Sequence, residues 1–290
     1  MLLLLILLGH LFTLHIPTCS AAIDSISPGQ GFVCGDKLVS QDAKFALGFF
    51  QTGSKSHNTF NWYLGIWFNK VPKITPVWVA NGDNPITEPA SVRFTVFEDG
   101  NLVILDQANN SMIWSSQVSP KTNTTIAVLM NNGNLVLRNN SSSSNILWQS
   151  FDHPTDTFLP GAKIGRDKTT GLTRRLVSRK NSIDPAHGLY YYELEPNRLI
   201  LAVLGSSVVY WSSGEWNGQY FSSIPEMLSR SLIDFEFVNN KHEEYFTYTL
   251  VNDTMIMHHL LDVSGQMKTL IWNEPPQDWI GSYANPKATV

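Results

Sequence analysis

With 290 residues, 43% of them hydrophobic and 15% charged, the chain holds enough apolar material for two modest domains with their own cores. Its formal net charge of −4 comes without a polybasic tail or an acidic block, which argues against a nucleic-acid partner. Residues 1–14 are rich in leucine and isoleucine and run into Pro17, Cys19, Ser20, Ala21 and Ala22. An apolar run ending in small residues reads as a secretory signal peptide over 1–21, although the basic start is missing. It is short for a bilayer span, and His10, His15 and Pro17 interrupt it. No other stretch could cross a bilayer, so the mature chain is expected to be soluble and exported. Loss of Cys19 with the signal leaves Cys34 alone, and that thiol is expected to be buried beside a strand edge. Five glycosylation sequons suit the same compartment: Asn109, Asn123, Asn139, Asn140 and Asn252. Asn139 and Asn140 adjoin, so a single glycan is expected there.

From residue 23 to residue 81 short apolar runs alternate with breaks, and strands are expected near 37–40, 45–50, 63–68 and 77–80, with a polar loop over 52–59. Two segments then repeat one another. Asn-Leu-Val at 101–103 and Ile113-Trp114 correspond to Asn-Leu-Val at 134–136 and Leu147-Trp148, with one extra residue in the second loop. A fainter copy closes on Val77-Trp78, so the tryptophans recur at roughly 35 residues. Each copy reads as about three strands joined by Asn/Gly/Ser turns. A lone sheet of this size cannot bury its apolar face, whereas three sheets around a pseudo-threefold axis can send Trp78, Trp114 and Trp148 into one core. A propeller would need at least four blades, and three copies are visible. The fold expected is all-β, built of three-sheet prisms.

On an extended strand, Phe97, Asp99, Asn101, Val103 and Leu105 share one face, as do Met130, Asn132, Asn134, Val136 and Arg138. These rows resemble the Gln-x-Asp-x-Asn-x-Val-x-Tyr mannose signature of the bulb-type lectins. The resemblance implies that Asp99, Asn101, Asn132 and Asn134 bond sugar hydroxyls while Val103 and Val136 pack on the ring. Here Phe97 and Met130 stand in the Gln slot, and Leu105 and Arg138 in the Tyr slot. Two lost hydrogen bonds weaken a shallow site roughly 30-fold, so the rows are expected to be degenerate. The competing reading is that both rows are turn chemistry.

Further motifs extend the likeness. Phe45-Ala-Leu-Gly-Phe-Phe, Tyr63-Leu-Gly-Ile-Trp-Phe and Val77-Trp-Val-Ala-Asn81 resemble the lectin head of the plant S-domain (G-type lectin) receptor-like kinases, which usually carry Arg where this chain has Gly82. Leu147-Trp-Gln-Ser-Phe-Asp-His-Pro resembles that family's linker. Asp152, His153 and Asp156 invite a metal reading, but a pre-proline turn fits His153 better. Residues 163–180 carry Lys163, Arg166, Lys168, Arg174, Arg175, Arg179 and Lys180 against one acid, Asp167, and read as a solvated hairpin with its tip at 169–171. From residue 189 onward the text is again strand-like. Tyr210-Trp-Ser-Ser-Gly-Glu-Trp-Asn-Gly218 and Leu261-Asp-Val-Ser-Gly-Gln-Met267 resemble the S-locus glycoprotein domain, with Glu215 where Pro is common. The resemblance thus implies two tandem three-sheet β-prism modules: a bulb-type lectin domain over 22–152, a linker and basic hairpin over 153–188, and an S-locus glycoprotein domain over 189–290.

Catalytic constellations are missing: G-x-S-x-G, H-E-x-x-H, C-x-x-C, a phosphate-cradling loop and the kinase motifs do not occur. His258/His259, Glu243/Glu244 and Glu98/Asp99 are strand neighbours that face apart and cannot act together. Trp211, Trp216 and Trp272 are read as core in preference to sugar platforms. The expectation is a non-enzymatic recognition ectodomain without cofactor or metal, binding a glycan or peptide, with homo- or hetero-dimerisation with receptor-like kinases possible. It would be secreted, or held at the plasma membrane if the chain is part of a receptor. The alternative is a structural or dimerising stalk, or a fragment of a receptor serine/threonine kinase. In the S-locus relatives, pollen-peptide recognition is associated with strands corresponding to about 190–204 and 235–259. The resemblance therefore points to Tyr191, Tyr192, Arg198, Lys241, His242, Glu243 and Tyr245, with Arg198, Lys241 and Glu243 as the outward charges of a partner surface.

Overall fold

A computed structural model describes residues 23–54, 59–119, 124–142, 144–229 and 231–286; the segment expected to be a signal peptide and Asn123 lie outside them. Six four-stranded sheets make up the described chain, three in each half. In the first half, each sequence repeat is one antiparallel sheet of three strands: Phe45–Ser54, Thr59–Phe68 and Pro76–Val79, then Val92–Val96, Leu102–Asp106 and Ser111–Ser115, then Thr125–Leu129, Leu135–Asn139 and Ile146–Gln149. The fourth strand comes from elsewhere. Within one short N-terminal stretch, Ser25–Ile26, Gly31–Val33 and Lys37–Val39 each pair with a different sheet, so this stretch ties all three together.

The closing tryptophan has the same environment in each sheet. Trp78 lies opposite Ile66, Trp114 opposite Ile104 and Trp148 opposite Leu137, with a register shift immediately after each of those partners. A bulge at that point increases the local twist, which helps three sheets close around an axis. The three indoles meet there edge to face, with centroids 6.0, 5.8 and 5.6 Å apart. Trp78 and Trp148 are buried and Trp114 is half-buried. Phe45, Leu47, Ile66, Phe94, Ile104, Leu135 and Leu137 fill the rest of this core, and Cys34 packs half-buried at its margin, where desolvation raises its thiol pKa.

The second half repeats the plan with more divergence. One sheet comprises Leu176–Arg179, His187–Glu195, Arg198–Val203 and Val209–Glu215, where Trp211 sits opposite Leu201 beside a register shift, as its counterparts do. Another joins Thr173–Arg174, Ile164–Asp167, Glu243–Leu250 and Ile233–Asn239. The last joins Thr157–Phe158, Met257–Leu261, Met267–Asn273 and Asp278–Asn285. The stretch 153–188, expected to be a linker with a solvated hairpin, is therefore structural. The hairpin forms with its tip at Thr169-Thr-Gly171, but its strands are woven into the second prism. Its sequence could not reveal this because the partner strand lies about eighty residues away, and register across such a gap is set by tertiary packing.

The last sheet serves both modules. His258 turns toward Phe68 of the first core and stands 4.7 Å from Trp279, while His259 turns the other way onto Tyr248, 4.5 Å off. Strand alternation sends the neighbours to opposite faces, as the sequence implies. Ile256 joins the first core, and Trp272 and Trp279 pack against it. Trp216 is enclosed by Phe221 and Phe237, so Trp211, Trp216 and Trp272 are packing residues. No helix among the described residues is long and apolar enough to cross a membrane.

Two outcomes follow. Trp148→Ala is expected to cost about 3–5 kcal/mol and to stop secretion, with half-buried Trp114→Ala costing less; urea denaturation and secreted yield measure both. Burial lowers the His258 pKa to about 3 and the His259 pKa to about 4, so both rings are neutral in the fold. In the unfolded chain they protonate near pH 6.5, so stability is full above that value and falls as the pH drops toward 4, by about 1.4 kcal/mol per pH unit for each ring. Urea midpoints at pH 7, 6 and 5 should show this loss, and His258→Phe should reduce its slope.

Candidate functional site

The two polar rows occupy tight turns between strands. In the first, Phe97 N–H donates to the Asn101 carbonyl and Gly100 N–H to the Phe97 carbonyl, and in the second Met130, Asn134 and Gly133 repeat the pattern. Gly100 and Gly133 adopt φ of +83° and +87°, the left-handed region in which a side chain is strained. Asp99 accepts from the Asn101 backbone at 2.9 Å, and Asn132 from the Asn134 backbone at 3.1 Å. The Asn101 amide donates to Asp99 and to the Val118 carbonyl and accepts from Ser116 Oγ and Val118 N–H. All four of its hydrogen-bonding positions are taken. Asn134 donates to Gln149 and accepts from Ser150 Oγ and Phe151 N–H. Val103 is fully buried and Val136 is 5% exposed, so neither offers an apolar face to a ring. Asp99 and Asn132 remain exposed at the turn tips.

The same hydroxyl bond recurs in the second prism: Leu102 N–H to Ser116, Leu135 N–H to Ser150 and Leu199 N–H to Ser213. Trp-Ser-Ser at 114–116 and 211–213 was the readable trace of this equivalence.

Every cation of the 163–180 segment is engaged, which corrects the picture of a solvated basic hairpin. Lys163 pairs with Glu243 at 2.7 Å, Arg166 with Glu244 at 3.1 Å, Arg175 with Glu193 at 3.4 Å and Lys180 with Asp184 at 3.3 Å. Lys168 bonds Asn239 and the Asn240 carbonyl. Arg174 meets Asp152 and Arg179 meets Asp156, each at 2.5 Å, and Arg179 also donates to the Pro76 carbonyl of the first module. Among these side chains Asp156, Glu244 and Arg174 are nearly enclosed, at 2%, 4% and 9% exposure.

Arg198 pairs with Glu195 at 2.7 Å, Glu243 with Lys163, and Lys241 is exposed on the neighbouring turn. Glu244 joins these turns by accepting from the Asn197 backbone and the Asn239 amide. Tyr245 lies under Lys163, whose Nζ is 3.9 Å from the ring centre, and Tyr191 lies under Arg175 at 5.2 Å. Tyr192, in contrast, is buried and belongs to the second core. Asn109, Asn140 and Asn252 are exposed, and the Asn139 side-chain oxygen accepts from Ser141 N–H and Oγ.

A cleft of about 490 Å³ opens where the tryptophan trio faces the second module. Trp114 and Trp148 form part of its floor, and His153 stacks on Trp148 with centroids 5.4 Å apart and planes at 11°. Trp78 Nε1 donates to the His153 carbonyl at 2.8 Å. One wall is residues 81–84, where a Cβ added to Gly82 would stand 2.8 Å from the Pro185 carbonyl, so the backbones approach too closely for a side chain. The other wall carries Thr173, Arg175, Arg179 and His187, the last paired with Asp83 at 2.5 Å. Sequence reasoning found the tryptophans and missed the cleft, because its far wall comes from the segment assigned as linker.

The D-mannose binding lectin family model matches residues 75–180, and the S-locus glycoprotein domain model matches residues 211–290. A G-type lectin S-receptor-like serine/threonine-protein kinase of Arabidopsis thaliana is 40% identical over 275 residues, covering 92% of this chain and 32% of the kinase. An S-locus-specific glycoprotein of Brassica oleracea is 38% identical over 254 residues, covering 86% of this chain and 57% of the glycoprotein. The chain thus spans about a third of the one relative and somewhat over half of the other. The two-domain fetuin-binding agglutinin of Scilla campanulata overlays with a TM-score of 0.30 and 14% identity, covering 91% of this chain and 88% of the agglutinin.

Because the Asn101 and Asn134 amides hold turns together, Asn101→Ala and Asn134→Ala are each expected to destabilise the fold by about 1–3 kcal/mol. Thermal melting and denaturant titration of the two variants measure the effect.

Proposed function

This chain belongs to the family that joins a bulb-type lectin domain to an S-locus glycoprotein domain, and from that membership we propose that it is an extracellular recognition module that reads a peptide or protein partner with its second prism. The observation that carries the proposal is the state of the two polar rows. The Asn101 amide is fully bonded within the chain, Asn134 makes three intrachain bonds and both valines are buried, which supports degenerate mannose sites and moves recognition elsewhere. The adjoining turns that carry Arg198, Lys241 and Glu243 supply mixed charge next to the half-buried Tyr245, a composition suited to a partner surface. The relatives' names support a place outside the cell, free or as part of a receptor ectodomain, and a non-enzymatic role for this segment.

In this reading the two prisms act as one rigid body. Shared core residues, the Arg174–Asp152 pair and the bond from Arg179 to the Pro76 carbonyl hold one module against the other, so a partner meets a preorganised surface. Mannose should accordingly bind more weakly than millimolar or not at all, and Asp99→Ala should leave binding of a protein partner unchanged. Charge reversal at Arg198, Lys241 and Glu243, singly and together, should reduce binding to a protein ligand or a dimerising receptor in surface plasmon resonance. Unchanged binding in all three, alongside disruption by reversals in the first module, would place recognition on the other prism.

A further inference from the structure

The cleft between the modules has features of a ligand site that the polar rows lack. Its volume of about 490 Å³ lies within the range of about 300–1,000 Å³ typical of small-molecule pockets. Its floor is aromatic: half-buried Trp114, with Trp148 carrying the stacked His153 ring. Indole presents a flat apolar face, the complement of the C–H face of a pyranose ring. Around this floor the polar groups are left open. The Asn84 amide, the Thr173 hydroxyl and the His153 ring nitrogens have no hydrogen-bond partner among the described residues, and Asn84 and Thr173 are exposed. Arg175 makes a long contact to Glu193 at 3.4 Å and lies 5.2 Å over the Tyr191 ring, with most of its N–H donors unbonded among the described residues.

Charge selects among ligand classes. Arg179 is neutralised by Asp156, and Asp83 already pairs with His187. Arg175, paired to Glu193 and lying over the Tyr191 ring, shares the cleft with Asp152, itself paired to Arg174. The lining thus combines an aromatic floor, open amide, hydroxyl and guanidinium groups, and little net charge. We propose that the intermodule cleft binds a neutral oligosaccharide of disaccharide size, with a sugar ring against Trp114 and its hydroxyls met by Asn84, Thr173 and Arg175. The site is separate from the two degenerate rows. It depends on both modules, because its floor comes from the first prism and one wall from the second. The proposal rests on the reading of the chain as a recognition ectodomain.

The test uses the secreted, glycosylated chain titrated with mannobiose, cellobiose, xylobiose and N,N′-diacetylchitobiose, followed by tryptophan fluorescence and saturation-transfer NMR. At least one neutral disaccharide should give a saturable change. Arg175→Ala and Asn84→Ala, both at exposed positions, should each weaken that binding by about fivefold to tenfold. Thr173→Trp, which fills the mouth, should abolish it, and Asp99→Ala should leave it intact. Unchanged melting temperatures establish that the variants fold. No saturable change with any of the four sugars overturns the proposal while leaving the partner surface of the second prism to its own assay. Wild-type affinity in all three cleft variants overturns the location, and binding confined to acidic oligosaccharides or peptides overturns the ligand class.

Discussion

Three indoles, one delivered by each sheet, share a single small volume on the axis of the first prism, and much of the molecule's layout depends on that meeting. Each closing strand must bring its tryptophan to the same height. A recurrent register shift beside Ile66, Ile104 and Leu137 places them there. The trio also fixes the route out of the module. Trp78 bonds the His153 backbone and Trp148 stacks on its ring, so the chain leaves the first prism already anchored to its core.

That exit determines how the second prism docks. From Thr157 to Arg179 the chain contributes strands to all three sheets of the second module, as residues 25–39 do in the first. The segment therefore has two duties, completing one prism and facing the other. Its arginines follow from this position. Arg174 and Arg179 lie at the seam, where a guanidinium is tolerable only beside a carboxylate, and Asp152 and Asp156 supply those carboxylates. A run of like charges that would repel itself on an isolated hairpin is stable because acids from 152–156, 193 and 243–244 surround it.

For recognition, the consequence is a division of labour. The polar rows keep the residue types of a sugar site, and the Asn101 amide has all four of its hydrogen-bonding positions bonded within the chain. Among the described residues, unpaired hydrogen-bonding groups persist where the two modules meet and at Lys241 on a turn of the second prism. Neither place is visible within one repeat, and each requires chain segments distant in sequence.

The sequence by itself determined the all-β character, the threefold repeat, the convergence of Trp78, Trp114 and Trp148, and the opposed faces of His258 and His259. These are legible because they follow from periodicity and turn chemistry, which are local. The turn at Asp99 and Asn101 is likewise local, set by the left-handed glycine at 100. Only the tertiary structure decided that residues 157–179 are strands, that Tyr192 points inward while Tyr191 and Tyr245 carry cations on their rings, and which acid each basic residue meets. A period of two establishes that alternate residues share a face but not which face is buried, and the partners that settle the question lie far along the chain.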